Sequence, residues 1–224
     1  MPRELVAIAV RTPAICEYED QPLQPNEIRV MTQFGAPKHG TELHGYRGDG
    51  ATSNAYFDLN QRVFLPAGPE HGPSRRFPRP LGNIAVGVVN EVGAEVEGVT
   101  VGDVVAGYGP LRETQRWAWG TPGAYPGVRK LPKGMSWQSA VCLDPATVAL
   151  GGIRDGQVRV GDRVAVFGLG AIGLMAVQLA RVAGAAFVAA VDPIDGRCAV
   201  AERTGADLVL DPTKTDAGLA IREA

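Results

Sequence analysis

The sequence predicts a fold of the α/β-plus-β class, with a compact, barrel-like β domain over residues 1–134 and part of a doubly wound parallel sheet over residues 135–224. Three observations carry that prediction. Short β-rich runs separated by Gly, Pro and Asn fill the first part. Helix and strand periods alternate in the second. A glycine-rich hexapeptide stands at one strand-to-helix junction of that second part.

In the first part, residues 5–10, 28–34, 84–92 and 101–106 read as strands. Residues 66–80 hold Pro66, Pro69, Pro73, Pro78 and Pro80. Proline fixes φ and removes a backbone donor, so this segment is expected to be an irregular loop. After Gly134, Ser136 is a good N-cap for a helix over 137–143. Asp144 and Pro145 fit the N-cap and first position of a second helix over 145–150, ended by Gly151 and Gly152. Residues 153–161 read as a turn-rich connector. Next come a strand at 163–167, a helix over 171–183 closed by Gly184, a strand at 187–191, a helix over 197–204 closed by Gly205, and a strand at 208–210. Apolar strands in that alternation predict a parallel sheet with right-handed crossovers.

A hydrophobic share of 45% and a charged share of 21% suit a globular chain. With 22 basic against 24 acidic residues, and no basic cluster to neutralise a run of phosphates, nucleic acid is not an expected partner. No apolar stretch approaches the ~18 residues of a membrane span, so the reading is of a cytoplasmic protein without a membrane partner. Cys16, Cys142 and Cys198 lie far apart and form neither a disulfide framework nor a zinc knot; buried, reduced thiols are expected.

Directly after the strand at 163–167 come Gly168, Leu169, Gly170, Ala171, Ile172 and Gly173, a G-x-G-x-x-G run in the required context. The first glycine permits a tight turn, the second lets backbone approach a pyrophosphate, and the third lets the helix pack close to the strand. The anion is expected on the helix N-terminus. Asp192 ends the next strand, 24 residues after Gly168, where a carboxylate accepts ribose hydroxyls and repels a 2'-phosphate. The expected cofactor is therefore NAD, with Arg197 the one nearby group that speaks for NADP.

Several segments taken in order resemble the medium-chain dehydrogenase/reductase superfamily, the zinc alcohol and polyol dehydrogenases. The stretch from His39 through Thr41, Glu42 and His44 to Gly48 is similar to C-G-T/S-D-x-H-x-x-x-G. Gly82, Asn83 and Ile84, continuing to Gly93, are similar to G-H-E-x-x-G-x-V-x-x-V-G. The Val101-Gly102-Asp103-Val104-Val105 turn, the Asp144-Pro145 segment and Val160-Gly161-Asp162 continue the likeness. The resemblance implies a GroES-like β-barrel followed by a Rossmann domain, and hydride transfer between nicotinamide and a small carbonyl or alcohol substrate. It also implies a proton relay through Thr41 and His44; a helix-capping Thr41 and a surface His44 are the alternative reading.

The metal positions depart from the family pattern. Its cysteine, histidine and glutamate appear as His39, Asn83 and Ile84, so the normal catalytic zinc is not expected and no metal ligand is assigned. His39 and Asp144 remain from that set. Glu42 is the residue that would complete an atypical site, against the plainer readings of His39 as a loop or core histidine and Asp144 as a helix cap. The four-cysteine lobe is missing too, its place taken by the Trp117 to Tyr125 stretch, which either lines a substrate pocket or packs the domain edge. Loss of the Lewis acid favours a zinc-free carbonyl or activated-alkene reductase. A dinucleotide-binding module without chemistry is the competing class. Three strands stand where such a sheet normally has six, so the chain reads as part of a longer parent, which the resemblance implies is a homo-oligomer.

Overall fold

The computed structural model describes residues 1–48, 55–66, 77–120 and 127–224, the side chain of Thr41 excepted. These residues fall into two compact units, Met1–Val141 and Cys142–Ala224. The first contains, in order, β1 (Arg3–Ala9), β2 (Thr12–Glu17), β3 (Glu27–Ala36), α1 (His39–Arg47), β4 (Ala55–Asp58), β5 (Val63–Pro66), β6 (Arg79–Pro80), β7 (Ile84–Val92), β8 (Val104–Tyr108), β9 (Thr114–Ala118), β10 (Arg129–Lys130) and α2 (Trp137–Ala140).

Its strands form a five-stranded sheet in the order β10-β8-β7-β3-β9, a three-stranded sheet β2-β1-β6 and the hairpin β4-β5. Among the described residues no sheet closes on itself, which corrects the expectation of a barrel. The central pair β3 and β7 runs antiparallel, with Ile28 opposite Val92 and Ala36 opposite Ile84. The strands approach so closely at Gly87 that a Cβ there would lie 2.1 Å from the Met31 carbonyl oxygen. Ile28, Val30, Val89, Val99 and Val105 make the core, with Trp117, Trp119 and Val128 packed against it. The indole N–H groups donate to the Tyr108 and Glu97 carbonyls at 2.9 and 2.8 Å, so both tryptophans serve packing with their polar atoms satisfied. Tyr125, in the same stretch, lies outside the described residues.

The proline-rich segment is more ordered at its ends than expected. Pro66 closes β5, and Arg79 and Pro80 pair with Ala7 and Val6 of β1. Proline is tolerated there because β6 is an edge strand. Pro69 and Pro73 lie outside the described residues.

The second unit contains α3 (Leu143–Asp155), β11 (Arg163–Phe167), α4 (Ala171–Val182), β12 (Phe187–Val191), α5 (Asp195–Thr204), β13 (Leu208–Leu210) and α6 (Ala217–Glu223). Its strands are parallel in the order β11-β12-β13. Leu169, Val177, Ala180, Val188, Ala190 and Ala201 form the buried core, which Ile153, Val164, Leu174 and Cys198 complete. Arg181 near the end of α4 ties the crossovers together. It donates to the carbonyls of Gly205 at 2.7 Å and Ala185 at 3.2 Å and pairs with Asp207, whose other oxygen accepts the Val188 N–H.

Three helices of the second unit, α3, α5 and α6, depart from the sequence reading. α3 starts before Asp144 and continues through Gly151 and Gly152 to Asp155, and its N-cap is Cys142. Ala146 N–H reaches the Cys142 carbonyl, so Asp144 is the second helical residue rather than the cap. α6, which the sequence did not announce, is capped by Asp216 accepting the Leu219 N–H at 3.0 Å. Among the described residues no helix is long and apolar enough to cross a membrane.

Candidate functional site

In the second unit, β11 ends at Phe167 and the chain turns through Gly168 and Leu169 into α4. Gly168 has φ of 87°, a conformation that glycine adopts without strain. A Cβ on Gly170 would meet nothing within 4 Å, leaving open space beside the backbone, whereas one on Gly173 would fall 1.8 Å from the Gly168 carbonyl oxygen. The three glycines thus differ in their surroundings: a left-handed turn at Gly168, open space at Gly170 and close packing at Gly173. Gly170 is the N-cap of α4 and no side chain caps the helix, so the first N–H groups of Ala171, Ile172 and Gly173 keep the capacity to bind an anion. Ile172 is exposed, while Leu169 is fully buried and anchors the turn in the core.

Asp192 follows β12 and is 3% exposed. One carboxylate oxygen accepts the Leu169 N–H at 2.8 Å and faces the Arg197 guanidinium at 3.3 Å; the other accepts the Ile194 N–H at 2.9 Å. Burial pushes this carboxyl up, but the two N–H groups and the guanidinium outweigh it and hold the pKa below the ordinary value of 3.8. A carboxylate with a depressed folded pKa adds stability above its unfolded pKa and loses it as pH falls through the folded one. Urea melts are therefore expected to weaken more steeply below about pH 4 for the parent than for Asp192→Asn; equal slopes would remove Asp192 from the acid response. The sequence reading missed the Leu169 and Ile194 contacts. The Asp192-Pro193 dipeptide was the available signal, since aspartate commonly bonds the N–H two residues on.

In the first unit, α1 places Thr41 and His44 three residues apart, on one side of the helix. Lys38 is the N-cap and Thr41 lies inside α1, so the capping reading of Thr41 does not hold; its side chain lies outside the described residues. His44 is exposed in the last turn, and His39 is an exposed first residue. Both oxygens of Glu42 are occupied, one by the Lys38 N–H and one by the Gly82 N–H, each at 2.5 Å. Glu42 therefore acts as a capping carboxylate that binds α1 to the strand entry at Gly82.

The family description "Zinc-binding dehydrogenase" matches residues 171–224. The D-guloside 3-dehydrogenase of Escherichia coli (strain K12) is 45% identical over 221 residues, covering 98% of this chain and 62% of that protein. The (R,R)-butanediol dehydrogenase of Bacillus subtilis (strain 168) is 28% identical, covering 88% and 60%. These matches liken the chain to the zinc-binding alcohol and polyol dehydrogenases of the medium-chain dehydrogenase/reductase superfamily. It spans about three fifths of the length of both relatives. The structure of an alcohol dehydrogenase from Escherichia coli CFT073 complexed with NADH has the same fold, with a TM-score of 0.75 at 23% identity over 99% of this chain and 66% of that one.

Measured against this superfamily's metal motif, the donor set does not suit zinc. Ile84 is hydrocarbon and buried at the start of β7. Asn83 has its backbone N–H on the Ala36 carbonyl and its own carbonyl on the Gly109 N–H, and an amide side chain is a poor zinc ligand. Glu42, the residue available to complete an atypical set, is committed to two backbone donors. Among the described residues no group of three His, Cys, Asp or Glu gathers as a metal set.

Proposed function

We propose that the chain carries the cofactor turn and the proton relay of an NAD-dependent oxidoreductase acting at a secondary hydroxyl or its ketone, with Met1–Val141 as the GroES-like catalytic unit. The observation that carries this reading is the turn itself: a left-handed Gly168, an open Gly170, a side-chain-free contact at Gly173 and a buried carboxylate at the end of the next strand. These fit a dinucleotide pyrophosphate seated on the first N–H groups of α4, with Asp192 setting a preference for NAD over NADP. The names of the two relatives, which denote dehydrogenation of a guloside at its 3-position and of a diol, support a polyhydroxylated substrate.

When bound, the nicotinamide supplies or takes up the hydride. The chain's own part is to hold the pyrophosphate and to move a proton. In this reading the Thr41 hydroxyl hydrogen-bonds the substrate oxygen and the exposed His44 imidazole passes the proton to solvent. With an isoleucine and an asparagine in the usual ligand positions, we assign polarisation of that oxygen to hydrogen-bond donors rather than to zinc.

The test is a titration of NADH into the protein followed by nicotinamide fluorescence, with NADPH alongside. Saturable binding that is tighter for NADH is expected. Failure of both nucleotides to saturate would overturn the cofactor assignment, and tighter NADPH binding would overturn the preference.

A further inference from the structure

Two successive amides of the glycine turn are tied to two successive residues at the end of β12. Gly168 N–H donates to the Val191 carbonyl at 2.8 Å, and Leu169 N–H donates to the Asp192 carboxylate at 2.8 Å. The first bond continues the parallel ladder and survives any side-chain change. The second depends on one side chain. A carboxylate offers about four lone-pair sites, and the chain's own Leu169, Ile194 and Arg197 already engage Asp192. What is left over is room for about one ribose hydroxyl, so recognition of the sugar is a smaller share of this residue's work than its place in the motif implies.

We infer that Asp192 is a positioning residue for the pyrophosphate: it clamps the Gly168–Leu169 turn to the end of β12 and so fixes the N–H groups of α4 where the phosphates sit. The inference rests on the cofactor reading given above and extends it, because a clamp acts on every ligand that uses the turn, including one without a ribose. Arg197 contributes from the exposed side, its guanidinium held on the same oxygen that accepts the Leu169 N–H.

Two variants separate the clamp from sugar recognition. Asp192→Ser keeps a short acceptor for the Ile194 N–H, two residues on, but is one bond too short to replace the contact with Leu169. Asp192→Asn keeps an acceptor of the original length. Affinities for NADH, NADPH and inorganic pyrophosphate are measured by calorimetry, and exchange of the Leu169 amide proton by NMR. In Asp192→Ser, all three affinities are expected to fall about tenfold, the factor expected for a lost charge-assisted hydrogen bond, and the Leu169 amide to exchange faster. Asp192→Asn is expected to recover pyrophosphate affinity and amide protection. Selective loss of NADH in Asp192→Ser, with pyrophosphate affinity and Leu169 exchange unchanged, would overturn the clamp and leave the cofactor site standing. A parent protein that binds no nucleotide would instead overturn the cofactor reading. In that case the Leu169 exchange still decides the clamp, and an unprotected amide in the parent, or one indifferent to Asp192→Ser, rejects it. Should Asp192→Ser fail to fold, Asp192→Asn is compared with the parent by the same four measurements, and loss of Leu169 protection despite the retained acceptor counts against the clamp.

Discussion

Gly173→Ala is expected to destabilise the second unit by about 3 kcal/mol, at or above the upper range for overpacking, because the new Cβ meets backbone rather than a movable side chain. The clash is with the Gly168 carbonyl oxygen at 1.8 Å and its carbon at 2.9 Å, so α4 must slide away from the turn. For a domain of this size that corresponds to a drop in Tm of more than about 10 °C, and saturable NADH binding should be lost with it. Gly170→Ala is the control, since its Cβ enters open space. It should melt with the parent and bind the nucleotide less well. If Gly173→Ala melted alongside Gly170→Ala, close packing of α4 on the turn would be the wrong account of the third glycine.

The second large effect concerns α1. Removing either group of the proposed relay, by Thr41→Ala or His44→Ala, is expected to lower turnover of the proposed polyhydroxylated substrate about 10²–10⁴-fold, the usual worth of a positioned proton carrier. NADH affinity should stay within about twofold, since neither residue belongs to the phosphate turn. A steady-state assay beside the fluorescence titration separates the two quantities. Unchanged turnover in both variants would remove the relay, and parallel loss of turnover and affinity would point to damaged folding.

The second unit was largely legible in the sequence because its strands are apolar on both faces and each is bounded by glycine or a polar turn. The strands at 163–167, 187–191 and 208–210 stand where the pattern puts them. The turn at Gly168 and the close packing of α4 at Gly173 stand where the glycine spacing puts them. α3 was misread because two adjacent glycines each cost about 1 kcal/mol in an isolated helix, whereas here Ile153 beyond them packs into the core and keeps the helix going. α5 begins at Asp195, before the Arg197 start that was expected, because Ile194 rather than a side-chain cap opens it.

In the first unit the pattern showed strands without showing how sheets assemble. β7 stands at its expected bounds, yet β9 went unread: Thr114–Ala118 carries the buried polar residues Thr114 and Gln115, which hide the apolar alternation. Gln115 is acceptable inside because its side-chain amide donates to the Pro110 carbonyl at 2.8 Å. α1 was hidden for a related reason. Its N-cap, Lys38, offers no capping side chain; instead Glu42 reaches back from within the helix to the Lys38 N–H, and a backward contact leaves no mark at the usual position. Sheet closure depends on pairings distant in sequence, and periodicity does not report them.

Leu169 has a thermodynamic consequence. A loop that wraps a ligand commonly gives up conformational entropy at the moment of binding. Here the side chain in the middle of the turn is sunk wholly in the apolar core, so that entropy is surrendered once, when the unit folds. The nucleotide then meets a surface whose shape is already set, and the association step is relieved of that ordering cost.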